Sequence, residues 1–437
     1  MPKLFFPNTE EALSQLDASF TQIFMSKSRK MFARFLYGLD PGDILATPIP
    51  IELSFQKYAC QLLGLGQPTE VVLDVQLAAS CLLGDSIHQD SHALRELRRR
   101  CQGPGWYLEP YYQSPAAYQV GDLLGLPLRV TPRRLVERDL VEAINDKDFC
   151  KGLGLGASCR VVEGLHADNL SDLSLAIERL TATLEDKRQG RIMLRKVKCA
   201  GGCGNMSGTA SQLQERIPKW YSLGRVLVEP FLDFVEVCGS LTLLDGVGSQ
   251  LLAIDRQVVR DGHWQGFDYP AVPLQNQKAF LEEIAAASQR LGRALHLAGA
   301  RGLLNVDWGI KPNAQGILEP ILLECNFRHN GLSYVLDLGK RLFGEYWSRL
   351  FIASREECPT SLTDSATVLQ ALEFLTYEGE NVLLRSPLQA HRARRGLVLT
   401  SPPLHGGVSI AVFGDSPEYT QSVLRMAMRA LGTGSNP

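Results

Sequence analysis

Glu324, Asn326 and Arg328 stand two residues apart in the stretch LLECNFRHNG, residues 322–331. The apolar start of this stretch reads as the end of a buried strand, and side chains two apart on a strand share one face. One side of a sheet would then carry a carboxylate, an amide oxygen and a guanidinium. Asp307 lies in the preceding apolar run, within NVDWGIK. A hairpin joining the two runs would set Asp307 and Glu324 on neighbouring strands, facing the same side. Two carboxylates and an Asn oxygen are hard ligands suited to Mg²⁺, with phosphate oxygens completing the shell.

Upstream residues supply what a phosphate would need. Lys147 sits in INDKDF, and Lys196 in LRKVKCAGGCGN, a strand running into a glycine-rich loop. Gly202 and Gly204 in that loop allow close backbone approach to a phosphate. Lys198, two residues on and so on the same face, is a rival to Lys196. Glu229 ends an apolar strand in VLVEPFLD, Pro230 bends the chain, and Glu236 follows seven residues after Glu229. Such a hinge could clasp a nucleoside, the bend reading an adenine edge and Glu236 accepting from ribose hydroxyls. Alone, each of these residues is an ordinary surface charge; their order along the chain is the signal.

The elements needed to position them can be read from the pattern. A chain of 437 residues exceeds one ordinary core, which predicts two or three domains. With 45% hydrophobic and 21% charged residues it reads as globular rather than disordered. The net charge of −2 gives no electrostatic case for nucleic acid or an anionic membrane as partner. No signal peptide is recognised at the start, and no apolar run approaches a membrane span. The ten scattered cysteines then read as reduced, mostly buried thiols of a cytoplasmic protein. The C-x3-C pair Cys199 and Cys203 has no second pair at zinc-site spacing.

Residues 1–142 alternate short apolar runs with helical stretches and predict a small α/β domain. Within it, TEVVLDV (69–75) reads as a buried strand, SHALRELRRR (91–100) as a helix with a solvated basic end, and CQGPGWYLEPYYQSP (101–115) as a loop. Residues 143–360 hold the candidate chemistry on strands and two clear helices, DLSLAIERLTATLEDKR and QKAFLEEIAAASQRLGRALHLAG. Residues 361–437 read as a separate small unit containing NVLLR, GVSIAVFG and a final helix, with the basic residues Arg392, Arg394 and Arg395 facing solvent. Two decoys fail on spacing: KGLGLGAS lacks G-x-G-x-x-G, and no Walker motif occurs.

Taken in order, Lys147, Lys196 with its glycine loop, Glu229, Glu236, Asp307 and Glu324-x-Asn326 resemble the ATP-grasp superfamily over about 190 residues, 145–331. The stretches INDKDF, KCAGGCGN, DRQVVRDGHWQGFDYPA, GARGLLNVDWGI and LLECNFRHNG narrow the resemblance to peptide ligases of the pheganomycin-synthesising type. That resemblance implies an α/β fold of three parts: a pre-ATP-grasp domain, an ATP-grasp core whose antiparallel sheets clamp ATP, and a small C-terminal domain. It implies that Lys147 and Lys196 hold ATP phosphates, that Glu229, Pro230 and Phe231 hold adenine and Glu236 the ribose. Asp307, Glu324 and Asn326 would bind one or two Mg²⁺ ions, Mn²⁺ being an alternative, and Arg328 the substrate carboxylate or acyl phosphate. The implied reaction is ATP-dependent amide bond formation between a small-molecule carboxylate and an amine, in the biosynthesis of a peptide-like natural product, by a homodimer. A thiol or hydroxyl acceptor, or a silent nucleotide-binding subunit, are the alternative readings. Two departures touch the substrate end: HNGLSYV replaces a Gly-Gly-Thr-Thr-His-Pro-like run, and Asn305 stands where several relatives place Arg. His329 reads as a satisfied structural histidine.

Overall fold

The computed structural model describes residues 1–13, 31–184, 190–198, 204–221, 224–260, 262–272, 278–373, 375 and 395–432. Four short strands, β1 (Lys3–Phe6), β2 (Ile44–Thr47), β3 (Val72–Asp74) and β4 (Tyr107–Pro110), form a parallel sheet in the order β3-β2-β1-β4. Leu4, Phe6, Leu108 and the helix residues Leu83, Ile87, Ala93 and Leu97 make its core. The helix Ser91–Arg100 covers the stretch predicted for it and begins where Asp90 accepts from the His92 and Ala93 amides. Its basic end is committed to protein partners: Arg98 donates to the Leu123 carbonyl, and Arg99 and Arg100 to Glu96.

Two local expectations need correction. The stretch 101–115 is not all loop, because Tyr107–Pro110 pairs with β1 as β4. Its flanking Gly and Pro residues hide a four-residue strand whose alternate residues, Leu108 and Pro110, are buried. TEVVLDV is only half strand: Pro68–Val71 closes a helical turn before β3 begins.

The chain next lays down β5 (Arg160–Val161), β6 (Leu165–Ala167), β7 (Arg191–Lys196), β8 (Asn205–Thr209) and β9 (Val226–Pro230). The last four form an antiparallel sheet, order β6-β9-β7-β8. The helices Leu170–Thr183 and Ala210–Trp220 bury Leu173, Ile177, Leu213 and Ile217 against its Ile192, Leu194 and Val228.

A larger sheet follows from β10 (Glu236–Leu244), β11 (Ser249–Arg260), β12 (His263–Tyr269), β13 (Gly302–Pro312), β14 (Leu318–Asn326), β15 (Phe351–Pro359), β16 (Gly396–Leu399) and β17 (Gly407–Gly414). With β5 at its edge it has nine strands, ordered β16-β17-β15-β12-β11-β10-β13-β14-β5. Strands of the 361–437 stretch thus extend this sheet through β15. NVLLR, Arg392 and Arg394 lie outside the described residues, and Arg395 sits 5.1 Å from the ring centre of Tyr419. The eight cysteines among the described residues are free, and all but Cys81 are buried; Cys199 and Cys203 lie outside them. No helix among the described residues is long and apolar enough to cross a membrane.

One face of the nine-stranded sheet is sealed by helices. Trp308, Ile310, Leu322 and Cys325 pack there against the helices Lys278–Leu297 and Lys147–Gly156. By alternation Asp307, Gly309 and Lys311 turn to the other face. At Gly154 the Lys147–Gly156 helix packs closely on β14, because a Cβ there would fall under 3.0 Å from Leu322. Gly154→Val should destabilise the protein by about 1–3 kcal/mol through overpacking, read as a lower denaturant midpoint at unchanged slope.

Candidate active site

The hairpin of β13 and β14 brings the two predicted carboxylates together. Asp307 and Glu324 are direct cross-strand partners, as are Asn305 and Asn326. A bulge between Asp307 and Trp308 shifts the register, so Leu322 meets Trp308 on the helical face while Glu324 keeps the face of Asp307. Asp307 is surrounded by amides: Gln257 Nε2 at 2.7 Å and Asn305 Nδ2 at 2.8 Å donate to Oδ1, and Asn326 Nδ2 at 2.9 Å donates to Oδ2. Arg328 Nη1 donates to Asn326 Oδ1 at 2.7 Å, which places guanidinium, amide and carboxylate in one row.

Cations from three elements converge on Glu324. Lys147 opens its helix just after Asp146, whose side chain caps the helix, and its buried Nζ is 3.3 Å from Glu324 Oε2. Arg195 of β7 places Nη2 2.9 Å from the same oxygen and Nη1 3.6 Å from Glu229 Oε2. Lys151, one helical turn after Lys147, forms an ion pair with Glu229. Burial by itself would raise the Glu324 carboxyl, but Lys147, Arg195 and Arg328 outweigh it and hold it well below the usual carboxylate range. Asp307 has no such cations. Burial and the charge of Glu324 push it up. The pair is thus split, Glu324 ionised and Asp307 prone to keep its proton.

The predicted lysines behave differently. Lys147 joins the site. Lys196 shares the face of Ile192 and Leu194, and its Nζ lies 5.2 Å from the ring centre of Trp220 on the helical side of the sheet. The cleft-facing cation of this strand is its neighbour Arg195. Lys198 is exposed and paired with Glu142. Gly202 lies outside the described residues. Gly204 accepts from the Lys196 amide at 2.9 Å, closing the β7–β8 turn. Glu229 is buried at the cleft. The hinge beyond it is pinned by the Phe231 amide to the Arg191 carbonyl, 3.0 Å, while the Arg191 guanidinium sits 3.9 Å from the Phe231 ring centre. Pro230 closes β9 opposite Ile192.

Glu236 is not brought to Asp307. Its cross-strand partner is Ile310, and it shares the helical face with Cys238 and Trp308. Arg256 Nε is 3.3 Å away, and burial raises the Glu236 carboxyl. The ribose assignment therefore finds no support in this placement, because the first residue of β10 takes the phase set by its buried neighbours. His329 is satisfied as expected: its Nε2 lies 3.3 Å from Glu109, which Lys3 also contacts at 2.8 Å. The segment HNGLSYV starts a helix, Gly331–Phe343, capped by Asn330 accepting from the Ser333 amide at 2.8 Å.

Three participants escaped sequence reading: Arg195, Gln257 and Asp255. Asp255 is the cross-strand partner of Gly239, which is itself opposite Asp307. The row Asp255–Gly239–Asp307–Glu324 therefore crosses four strands on one face. A Cβ at Gly239 would overlap Asp255 Oδ1 and crowd Gln257. Asp255 is 2% exposed and its Oδ1 has no hydrogen-bond partner. A buried orphan oxygen beside an up-shifted Asp307 is an environment that a divalent cation would relieve. Among the described residues no three or more His, Cys, Asp or Glu side chains gather as a metal cage. A cation here would rest on Asp307, Glu324 and Asn326 with ligand oxygens, a donor set that fits Mg²⁺.

Burial, with the charge of Asp307, pushes Asp255 up to about 8. The folded protein then keeps a proton that the unfolded chain loses near its ordinary value of 3.8. That part of the stability is whole at low pH and drains away as the pH climbs to about 8. Asp255→Asn should remove this dependence: between about pH 5 and about pH 8 its melting temperature should fall less than that of the wild type. Parallel curves would show that Asp255 does not titrate in this range.

Comparisons with known proteins agree with this architecture. Residues 32–126 match the family described as the Pre ATP-grasp domain. No curated protein matches the chain by sequence. Among solved structures, N5-carboxyaminoimidazole synthase from Aspergillus clavatus, in complex with ADP and 5-aminoimidazole ribonucleotide, is 10% identical, with 99% of this chain and 98% of that one covered and a TM-score of 0.58. Biotin carboxylase from Campylobacter jejuni gives 12% identity, 98% and 91% coverage and a TM-score of 0.58. L-amino acid ligase from Bacillus licheniformis gives 13%, 98% and 97%, and 0.51. At such identities the likeness speaks for the fold: this chain has the ATP-grasp fold, with a pre-ATP-grasp domain in front of it.

Proposed function

We propose that the chain is an ATP- and Mg²⁺-dependent ligase that joins a carboxylate to an amine. The observation that carries this reading is the ionised Glu324, held by Lys147 and Arg195 and standing opposite Asp307 on one sheet face. Asp307, Glu324 and Asn326 would hold the metal, which neutralises phosphate charge and orients the triphosphate for in-line attack. Lys147 and Arg195 would exchange part of their pairing with Glu324 for the phosphates. Arg328, steadied by Asn326, presents its fork to the substrate carboxylate and then to the acyl phosphate.

In the first step a substrate carboxylate oxygen bonds to the γ-phosphorus, and the bond to the β–γ bridging oxygen breaks, releasing ADP. In the second, the amine nitrogen bonds to the activated carbonyl carbon, loses a proton, and phosphate departs. Positioning and charge neutralisation carry both steps. The ADP-bound and amino-acid-ligase neighbours support this choice without fixing a substrate. Synthesis of a peptide-like product rests on the sequence resemblance, as does a cytoplasmic setting.

The test is ADP and phosphate release with Mg²⁺-ATP over a panel of amino acids and short peptides, followed by product mass. An amide mass supports the reading; a thioester or ester mass would replace the amine acceptor. In an active preparation, Glu324→Gln should lower turnover on the order of a hundredfold or more. Unchanged turnover would remove the metal assignment. Arg195→Lys should lower kcat/KM at least about tenfold, because a point charge cannot reproduce a guanidinium shared between two carboxylates. Lys196→Met should do less; the opposite ranking would return the phosphate role to Lys196.

A further inference from the structure

Arg328 stands on neither helix nor strand: β14 ends at Asn326, and the next helix begins at Gly331. A guanidinium on a short loop still has to meet a phosphate at a fixed place, so the loop itself must be held. Both amides that flank Arg328 are held. Phe327 N–H donates to Asn145 Oδ1 at 2.9 Å, and His329 N–H donates to the Tyr111 carbonyl at 3.3 Å. The second bond is backbone to backbone. The first depends on a single side chain.

That side chain is fixed in turn. Asn145 ends the short helix Leu140–Ile144, and its Nδ2 donates to the Val141 carbonyl, one turn back, at 2.8 Å. With the amide nitrogen committed there, the oxygen is what remains for the Phe327 amide. β5 pairs with β14 only at Ile321 and Leu322. Beyond that point, side chains take up backbone groups of the strand and its extension: Arg195 Nη1 donates to the Leu323 carbonyl at 3.1 Å, and Asn145 accepts from Phe327. Asp146 follows Asn145 and caps the next helix, whose first residue is Lys147. Asn145 thus lies two residues before Lys147 and bonds the residue before Arg328. The two cations reach the same strand, Lys147 at Glu324 and Arg328 at Asn326.

We propose that Asn145 is a positioning residue for the ligase reaction, acting through Arg328 by setting its place relative to Lys147. The inference rests on the ligase reading given above. A substrate carboxylate held by Arg328 must meet the γ-phosphorus in line, and misplacement by about 1 Å can cost about a hundredfold in rate. Lys147 has supports of its own: its Nζ keeps Glu324, and its amide donates to the Val197 carbonyl at 3.2 Å. Loss of Asn145 should therefore lower turnover without loosening the nucleotide.

The test uses the full chain as wild type, Asn145→Ala and Asn145→Asp. Calorimetry with Mg²⁺ and a non-hydrolysable ATP analogue gives the affinity and the number of folded sites. ADP release is then measured per folded site, with the amino acid or short peptide that the panel above shows to be fastest. Asn145→Ala should lower kcat/KM for that substrate about a hundredfold at wild-type analogue affinity. Asn145→Asp keeps an acceptor for the Phe327 amide and should recover most of the loss. Wild-type turnover in the Ala variant, or an Asp variant no better than Ala, would overturn the positioning role and leave the ligase reading standing. Loss of analogue binding in the Ala variant would make Asn145 a structural residue and sink the proposal. A wild type that binds the analogue yet releases no ADP with any member of the panel would overturn both.

Discussion

Glu324 is a half-buried carboxylate held below its ordinary range by the cations around it, and much of the molecule is arranged to keep it so. Isolated in a low-dielectric interior it would take up a proton. It does not, because a lysine from a helix start, an arginine from the other sheet and an arginine two residues past the end of its own strand act on it. Each comes from a different element. The ion cluster therefore acts as a mechanical joint as well as a charge arrangement: Arg195 reaches from β7 to Glu324 on the other sheet while also facing Glu229. Removing one member of such a group costs about 3–5 kcal/mol, since the others are left buried and unpaired.

The second constraint is sheet register. The acidic row from Asp255 to Glu324 exists because four strands are aligned to within one residue, and Gly239 leaves the gap in it. A slip of one residue on any of them would turn its polar groups into the helical core. Trp308 guards against this. It is 1% exposed, and its indole nitrogen donates to Ser240 Oγ at 2.9 Å, with Ser240 in turn 2.7 Å from Ser288 Oγ. A large ring bonded at one depth in the core fixes the phase of β13, and with it the direction of Asp307.

The first domain is fastened to this core near Arg328. Gln113 donates to the Arg301 carbonyl at 2.8 Å, and His329, directly after Arg328, bonds through its amide to the Tyr111 carbonyl at 3.3 Å. Arg34, half-buried and paired with Glu356, adds a contact between residues 31–34 and β15. The residues that follow β14 are thereby held between two units. This accounts for HNGLSYV: the segment serves as a capped helix start wedged under Trp264, which lies against Gly331.

The sequence by itself determined the hairpin that pairs Asp307 with Glu324, the Asn326–Arg328 row, the long helices and the ATP-grasp pattern. These depend on local periodicity and short spacing, which the chain carries directly. Only the tertiary structure decided which face of each strand meets the cleft. RIMLRK offers Arg195 and Lys196 with equal polarity on opposite sides, and the side that wins is set by helices packing on Ile192 and Leu194. Glu236 was lost to the helical face for the same reason. Asp255 and Gln257 enter through register across β10. Such pairings have no local signature, because their energy comes from packing between distant segments rather than from propensity within one.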